Sequence, residues 1–488
     1  MTVMLGLTAL AVNTTASDPL PRSSPEAQGI SSLDIRKFVE AVEKQHADLV
    51  HSFMVVRHGY VVAEGWWAPY RAVSPHEVNS LSKSFTSTAI GLAIAEGRLS
   101  LYDRVLPFFP ESAPAEPSAN LKAMRIRDLL IMSSGHETGL TLSDNNRDDW
   151  AKLFLSQPVP YAPGTRYRYD SGASYMLSAI VQKVTGMTLR DYLQPRLFAP
   201  LGIDKPEWDT SPQGMSAGGF GLHLHTEDMA KFGLLYLQKG NWRGQQVVPA
   251  SWVAQATSLQ TSTGSDPVSD YEQGCGYHFW RCQHGIYRGS GAYGQYCIVM
   301  PEQDAVLAVT AGMPEAQVFM NLMWDSFIPA MQPRALPAND AARIALERKL
   351  ASLSLSTEPG ATSSDRAAAI VGRKYIFPEN DQNLRAVALT SGADGATTVT
   401  WRFADKEQTA TVRPGSWQEC RLGYGKSPEK PWAVSGAWTA TDTFTLKMCA
   451  YESSLIQTVT FHFEGEELHY GVTFNVLPKL PEVVGHLQ

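Results

Sequence analysis

The chain is short of the features that would place it in several large protein classes. Its five cysteines, Cys275, Cys282, Cys297, Cys420 and Cys449, are too few for a disulfide framework, and none forms a CxxC pair of the kind that holds zinc. Most of them read as small buried side chains. No window offers the ~20 uninterrupted apolar residues of a membrane helix, so no membrane span is expected. Basic residues number 41 against 48 acidic ones, a formal net charge of -7, and no Lys/Arg run is dense enough to track a phosphate backbone. Nucleic acid is therefore not expected as a partner. A Gly-x-Ser-x-Gly elbow, a His-Glu-x-x-His pair, a dinucleotide fingerprint and a phosphate loop are all missing. His223-Leu224-His225 alternates as metal ligands on a strand would, but no third ligand lies nearby, and we read both as ordinary loop histidines. Neither a metal nor an organic cofactor is expected.

What remains is an ordinary globular composition, 44% hydrophobic and 18% charged, in a chain long enough for two hydrophobic cores. Residues 1–24 read as a leader. Val3 to Val12 is apolar and Ala9-Leu10-Ala11 resembles a signal-peptidase site, yet nothing basic precedes Arg22. A clipped export signal would make the protein periplasmic or secreted, and a plain disordered leader would make it cytoplasmic. Residues 25–335 carry a first domain, 336–366 a helix and linker, and 367–488 a second domain.

In the first domain, Asp34 to Glu43 has helical amphipathicity, and His51 to Val56 and Tyr60 to Trp66 are strand-like runs around the turn residues Arg57-His58-Gly59. Trp66-Trp67 is read as packing on that hairpin. Helical patterns fill Ser82 to about Val184, broken by loops at Ala113 to Ser118 and Tyr161 to Thr165. Strand character returns at Gly285 to Tyr287, Gln295 to Met300 and Ala305 to Thr310, before a helical period over Glu315 to Met331. This order predicts an α+β domain, an antiparallel sheet flanked by helices with an all-helical lobe inserted. After the Ser/Thr/Gly/Pro-rich stretch Ser354 to Asp365, runs at Thr398 to Phe403, Val459 to Phe463 and Leu468 to Phe474 alternate apolar with polar, and Glu464-Gly465 supplies a turn. The tail is expected to be a small all-β barrel or sandwich.

The sharpest chemical signal is Ser80-Leu81-Ser82-Lys83, opening a helix whose expected buried stripe is Phe85, Ala89, Ile90, Ala93 and Ile94, with Gly97 as its stop. Residues three apart share a helix face, so the Lys83 amine reaches the Ser80 hydroxyl. A serine alcohol needs a neighbour to take its proton, and an amine can do so only in its neutral form, which burial or a second cation favours. The helix N-terminus adds free N–H groups and partial positive charge, which favour an oxyanion. The tetrad alone is weak, as Ser427-Pro428-Glu429-Lys430 in the tail shows, where no helix holds the pair.

Context gives the tetrad weight. Ser80 to Ser87 is followed by Glu96-Gly97-Arg98-Leu99-Ser100, Ile126-Arg127-Asp128-Leu129-Leu130-Ile131-Met132-Ser133-Ser134-Gly135, Pro163-Gly164-Thr165-Arg166-Tyr167-Arg168-Tyr169, Leu201-Gly202-Ile203 and Thr226-Glu227-Asp228-Met229-Ala230-Lys231-Phe232-Gly233. In order and spacing these resemble the class C β-lactamase family, whose clan includes D,D-peptidases, D-aminopeptidases, family VIII carboxylesterases and 6-aminohexanoate-dimer hydrolases. The resemblance spans roughly residues 25–330 and implies a β-lactamase/transpeptidase-like fold. It implies that Ser80 is the acylated nucleophile, with Lys83 and Tyr169 as proton-transfer partners.

The family's Tyr-x-Asn motif appears here as Tyr169-Asp170-Ser171, more like the 6-aminohexanoate-dimer hydrolases than the β-lactamases, with Ser171 able to donate one hydrogen bond to substrate. Its third motif, Lys or His, then Thr or Ser, then Gly, appears as Gly289-Ser290-Gly291 and lacks the cation. By the same resemblance the oxyanion hole is the backbone N–H of Ser80 and of Ala292, and Ser290 and Tyr293 join Gly289 and Gly291 in binding substrate. Arg288 should point to the other face of a regular strand. These residues imply a serine hydrolase acting on small esters or amides, with efficient β-lactam hydrolysis not expected. The alternative is a penicillin-binding-like sensor that acylates without deacylating, or never reacts. For the tail, lining the cleft, limiting substrate size and mediating a homodimer are all open, as is a ligand-binding barrel of its own.

Overall fold

Two left-handed residues, His58 (φ 50°) and Gly59 (φ 81°), reverse the chain between the first two strands, the backbone that a tight two-residue hairpin demands. They join β1 (Val50–Arg57) to β2 (Tyr60–Trp66). The structure, a computed structural model, describes residues 19–140, 142, 148–315, 317–392, 395–423 and 429–488. The apolar run Val3 to Val12 and the first half of the tetrad, Ser427-Pro428, lie outside the described residues.

Helix α1 (Ser32–Gln45), capped by the Ser31 hydroxyl, precedes the hairpin. Trp280–Arg281 (β3), Tyr287–Gly291 (β4), Gln295–Met300 (β5) and Ala305–Ala311 (β6) complete one antiparallel sheet in the order β2-β1-β6-β5-β4-β3. Every residue of β1, β5 and β6 is buried, because helices cover both faces. Alternation assigns the faces. Phe53, Val55, Ile298, Leu307 and Val309 join the α1 side chains Ile35, Phe38 and Val42, whereas Met54, Val56, Val299, Val306 and Ala308 join the helical lobe. That lobe is built around α2 (Ser82–Ala95), α3 (Ser171–Thr185) and α4 (Thr226–Leu237).

Three expectations change. The apolar stripe expected on α2 is the whole circumference, since residues 82–93 are all buried. Its small hydroxyls make this tolerable, with Ser84 Oγ donating to His278 O (2.8 Å), Thr86 Oγ1 to Gly218 O (2.7 Å), and Thr88 Oγ1 meeting Tyr236 Oη (2.7 Å). Strand β4 begins at Tyr287 rather than Gly285, because His284 and Gly285 adopt left-handed backbone (φ 57° and 68°) that no strand accepts. Residues 19–24 are not free leader. Leu20 is buried, its N–H donates to Glu227 Oε1 (2.5 Å), and Arg22 bridges Glu64 and Glu227.

All five cysteines are free, four of them buried. Trp67 is buried and Trp66 packs against the lobe core. No helix among the described residues is long and apolar enough to cross a membrane.

Helix α5 (Asp340–Ala351) returns to α1 through Lys349–Glu43 (2.5 Å), and the following segment lies on both domains, bridging Ala68 at Ser354 and Trp438 at Ala361. The tail then forms ten strands: β7 (Lys374–Ile376), β8 (Leu384–Ser391), β9 (Thr397–Phe403), β10 (Glu407–Val412), β11 (Gln418–Leu422), β12 (Lys430–Ala440), β13 (Thr443–Cys449), β14 (Ile456–Glu464), β15 (Glu467–Phe474) and β16 (Val483–Leu487). Their order, β10-β9-β8-β7-β16-β15-β14-β13-β12-β11, is a meander wrapped into a nearly closed barrel. The open seam between β10 and β11 is spanned by the Gln408 side chain, which bonds both backbone groups of Gly423. Trp401, Trp438, Phe444, Phe461, Phe463 and Tyr470 fill the interior.

Candidate active site

Ser80 sits in a single helical turn, Asn79–Leu81, that runs directly into α2. Asn79 enters it at φ 48°, a left-handed conformation that Asn tolerates better than most residues. One turn on, Lys83 is buried, and its Nζ donates to Ser80 Oγ (3.2 Å), Ser171 Oγ (3.0 Å) and the Gly219 carbonyl (2.5 Å). Gly219 is small for a reason: a Cβ there would lie 3.1 Å from Ser171 O and 3.4 Å from Lys83 Nζ.

Tyr169 comes from the loop before α3, whose N-terminus is capped by Asp170 through Gly172 N (2.8 Å). Burial raises the Asp170 carboxyl above its ordinary value, against its backbone hydrogen bonds and the Lys83 charge. The Tyr169 ring lies along the Trp280 indole (centroids 6.1 Å apart, planes 27°), and Lys83 Nζ stands 4.9 Å from its centroid. Ser80, Lys83, Tyr169 and Ser290 line one hollow, together with Tyr167, Cys275 and His278. His278 is buried beneath Lys83, with Nδ1 3.2 Å from the Lys83 carbonyl, and burial followed by the Lys83 charge lowers it to about 4.

The hollow opens into a cleft of about 660 Å³, a size typical of small-ligand sites. One wall is the end of β4 and its turn, Ser290, Gly291, Ala292 and Tyr293, and the other includes Tyr169, Tyr271 and Trp280. Strand β3 pairs only with Tyr287 and Arg288, leaving the remainder of that edge of β4 without a strand neighbour.

The structure thus brings Ser80, Lys83, Tyr169, Ser290, Gly291, Ala292 and Tyr293 around one space. Two sequence-expected residues lie elsewhere. Gly289 is absent from the cleft wall and faces the Ser80 turn and the start of α2, where a Cβ would meet Leu81 Cδ1 at 2.1 Å and Ser84 Oγ at 3.0 Å, so its smallness lets the strand seat there. Ser171 holds Lys83 and lines a neighbouring hollow with Arg168 and Phe220. Arg288 is fully buried on the face of β4 opposite to Gly289, donating to Asp270 O (3.0 Å) with Cys282 Sγ at 2.8 Å, and its guanidinium lies behind the cleft wall, 4.8 Å from the Tyr271 ring and 5.9 Å from the Trp280 ring. His223 and His225 have separate surroundings, Asp209 at 3.9 Å and Asp228 at 2.9 Å.

Sequence reading missed Gly219, Trp280, Tyr271 and Asn79. The only signal for Gly219 is the glycine-dense run Gly218-Gly219-Phe220-Gly221, which marks close backbone approach.

The sequence profile described as Beta-lactamase matches residues 35–319. The chain belongs to the beta-lactamase family. Among its relatives in that family, the 6-aminohexanoate-dimer hydrolase of Paenarthrobacter ureafaciens is 25% identical over 287 residues, covering 54% of this chain and 73% of that one. Of solved structures, a putative 6-aminohexanoate-dimer hydrolase from Bacillus anthracis superposes with a TM-score of 0.54 at 19% identity, covering 66% of this chain and 89% of that one. The octameric penicillin-binding protein homologue from Pyrococcus abyssi gives 0.50 at 16% identity over 92% of this chain and 100% of its own. The beta-lactamase fold therefore accounts for the first domain, and the chain's relatives are serine hydrolases.

Proposed function

We propose that this beta-lactamase family member hydrolyses small esters or amides through an acyl-Ser80 intermediate. The observation that carries the reading is the Ser80–Lys83 contact at 3.2 Å beside a cleft walled by the end of β4 that has no strand partner on that edge among the described residues. Lys83 and Tyr169 take the Ser80 proton as its oxygen attacks the carbonyl carbon. The N–H groups of Ser80 and Ala292 hold the oxyanion, the leaving alcohol or amine departs with the proton, and water then cleaves the acyl-serine.

Tyr169 makes no hydrogen bond to Ser80 or Lys83 among the described residues, so its hydroxyl engages once substrate fills the hollow, as catalytic contacts commonly do. The described residues of the main cleft include no Lys or Arg, and Glu315 is its one carboxylate. Acyl groups without a carboxylate suit such a wall, and β-lactams, which carry one, do not.

The missing third-motif cation also favours a second reading, a module that acylates and then stalls. Steady-state and burst kinetics with p-nitrophenyl butyrate separate the two. Continuous turnover that falls at least ~1,000-fold in Ser80→Ala supports the hydrolase. A stoichiometric burst with no turnover supports the stalled acyl-enzyme, and turnover that survives Ser80→Ala overturns both.

A further inference from the structure

Among the described residues, the barrel contributes none to the walls of the cleft or the inner hollow, yet one of its loops reaches directly behind them. Residues 450–455, between β13 and β14, insert into the first domain. Glu452 O accepts from Glu77 N (2.8 Å), Ser453 O from Tyr70 Oη (3.0 Å), and Asn475 Nδ2 donates to both Ser454 O (2.9 Å) and Gly312 O (3.1 Å). Gly312 has no room for a side chain here, since its Cβ would stand 2.6 Å from Ser454 O.

At the tip, the buried Ser454 Oγ accepts from two side-chain amides of the first domain, Asn79 Nδ2 (3.3 Å) and Gln295 Nε2 (3.0 Å). Asn79 Nδ2 has its second N–H for the carbonyl of Ala292 (3.2 Å), and the Gln295 N–H that meets Ser454 is shared with that same carbonyl (3.1 Å). Gln295 is fully buried and is itself fixed to both backbone groups of Ala311. Asn79 immediately precedes Ser80, so one side chain ties the nucleophile's turn to the turn after β4, and Ser454 sets the direction of that tie.

We propose that Ser454 is a positioning residue for the oxyanion hole, and that the barrel serves catalysis by fixing the spacing between the Ser80 and Ala292 N–H groups. The inference rests on the hydrolase reading of those two residues. An acceptor that holds both amides matters because a donor aimed slightly wrong stabilises the transition state less while binding the ground state equally well.

The test is kcat and KM for p-nitrophenyl butyrate on the full chain, for Ser454→Ala, Ser454→Thr, Asn79→Ala, the Ser454→Ala/Asn79→Ala double variant and Ser80→Ala. Loss of a complete oxyanion donor costs ~100–1,000-fold, so a misaimed one is expected to lower kcat about tenfold in Ser454→Ala, with KM within about twofold. Ser454→Thr, which keeps the hydroxyl, should recover kcat to within about threefold of wild type, and the double variant should be no slower than the slower single one. Wild-type kcat in Ser454→Ala, a defect confined to KM, or additive losses in the double variant would each overturn the proposal. Should Ser454→Ala fail to fold, Asn79→Ala decides it, wild-type kcat there being the overturning result. Turnover persisting in Ser80→Ala sinks the hydrolase reading, whereas loss in Ser80→Ala beside a fully active Ser454→Ala sinks this inference alone.

Discussion

The two domains bury different chemistry. Among the described residues of the barrel, the buried polar side chains are Thr397, Ser435, Thr445, Ser454 and Gln457, none of them ionisable, around an aromatic interior. The first domain buries Lys83, Asp170, Asp270, Arg288 and several histidines, including His51, His76 and His278. Burying such groups costs stability unless each finds partners, so folds concentrate them where chemistry requires them. The barrel keeps charge out of its interior, whereas the first domain buries it around Ser80.

Phe461, fully buried among Trp401, Phe444 and Tyr470, tests the scaffold side of this contrast. Phe461→Ala should destabilise the protein by about 3–5 kcal/mol in denaturant unfolding. Turnover per folded molecule should stay near wild type, because the change lies five residues along β14 from the end that meets the 450–455 loop. A comparable loss of turnover in a fully folded sample would break the contrast.

Acid should separate the domains next. Burial lowers His76, His136, His223 and His278 to about 4, and His51 well below its ordinary value, while the barrel has no buried histidine among its described residues. The unfolded chain takes up these protons near pH 6.5 and the folded one only near 4, so stability is full above about 6.5 and is lost as pH falls towards 4. Each histidine contributes at most about 1.4 kcal/mol per pH unit across that window. Hydrogen exchange at pH 7 and pH 5 should show protection falling in β1 and α2 before β14, and equal losses everywhere would count against the assignment.

The smallest effect on stability is expected from Gly289→Ala. Its methyl meets Leu81, so the strand must shift from the Ser80 turn at a cost of about 1–3 kcal/mol. Turnover should fall together with a melting temperature lowered by a few degrees, and unchanged kinetics would show that the seating of β4 does not control the site.

Much of this was legible in the sequence because it is local. Period-two alternation marked the tail strands, turn chemistry marked the hairpin at His58-Gly59, and the three-residue spacing of Ser80 and Lys83 survives in space at 3.2 Å. What stayed hidden depends on distant chain segments meeting. The Gly219 carbonyl under Lys83 is 136 residues away, and Ser454 lies 375 residues from Asn79. The false stripe on α2 has the same origin, since serine and threonine look solvent-facing until a neighbouring carbonyl is known to receive them.

As the base for Ser80, the neutral Lys83 amine has two N–H bonds and one lone pair, and Ser171, Gly219 and Ser80 engage all three. None is left over to grip an incoming molecule. Whatever recognises the substrate must therefore come from the cleft wall itself, from the end of β4 with Ser290, from the aromatic faces of Tyr169, Tyr271 and Trp280, and from Glu315 and Gln317.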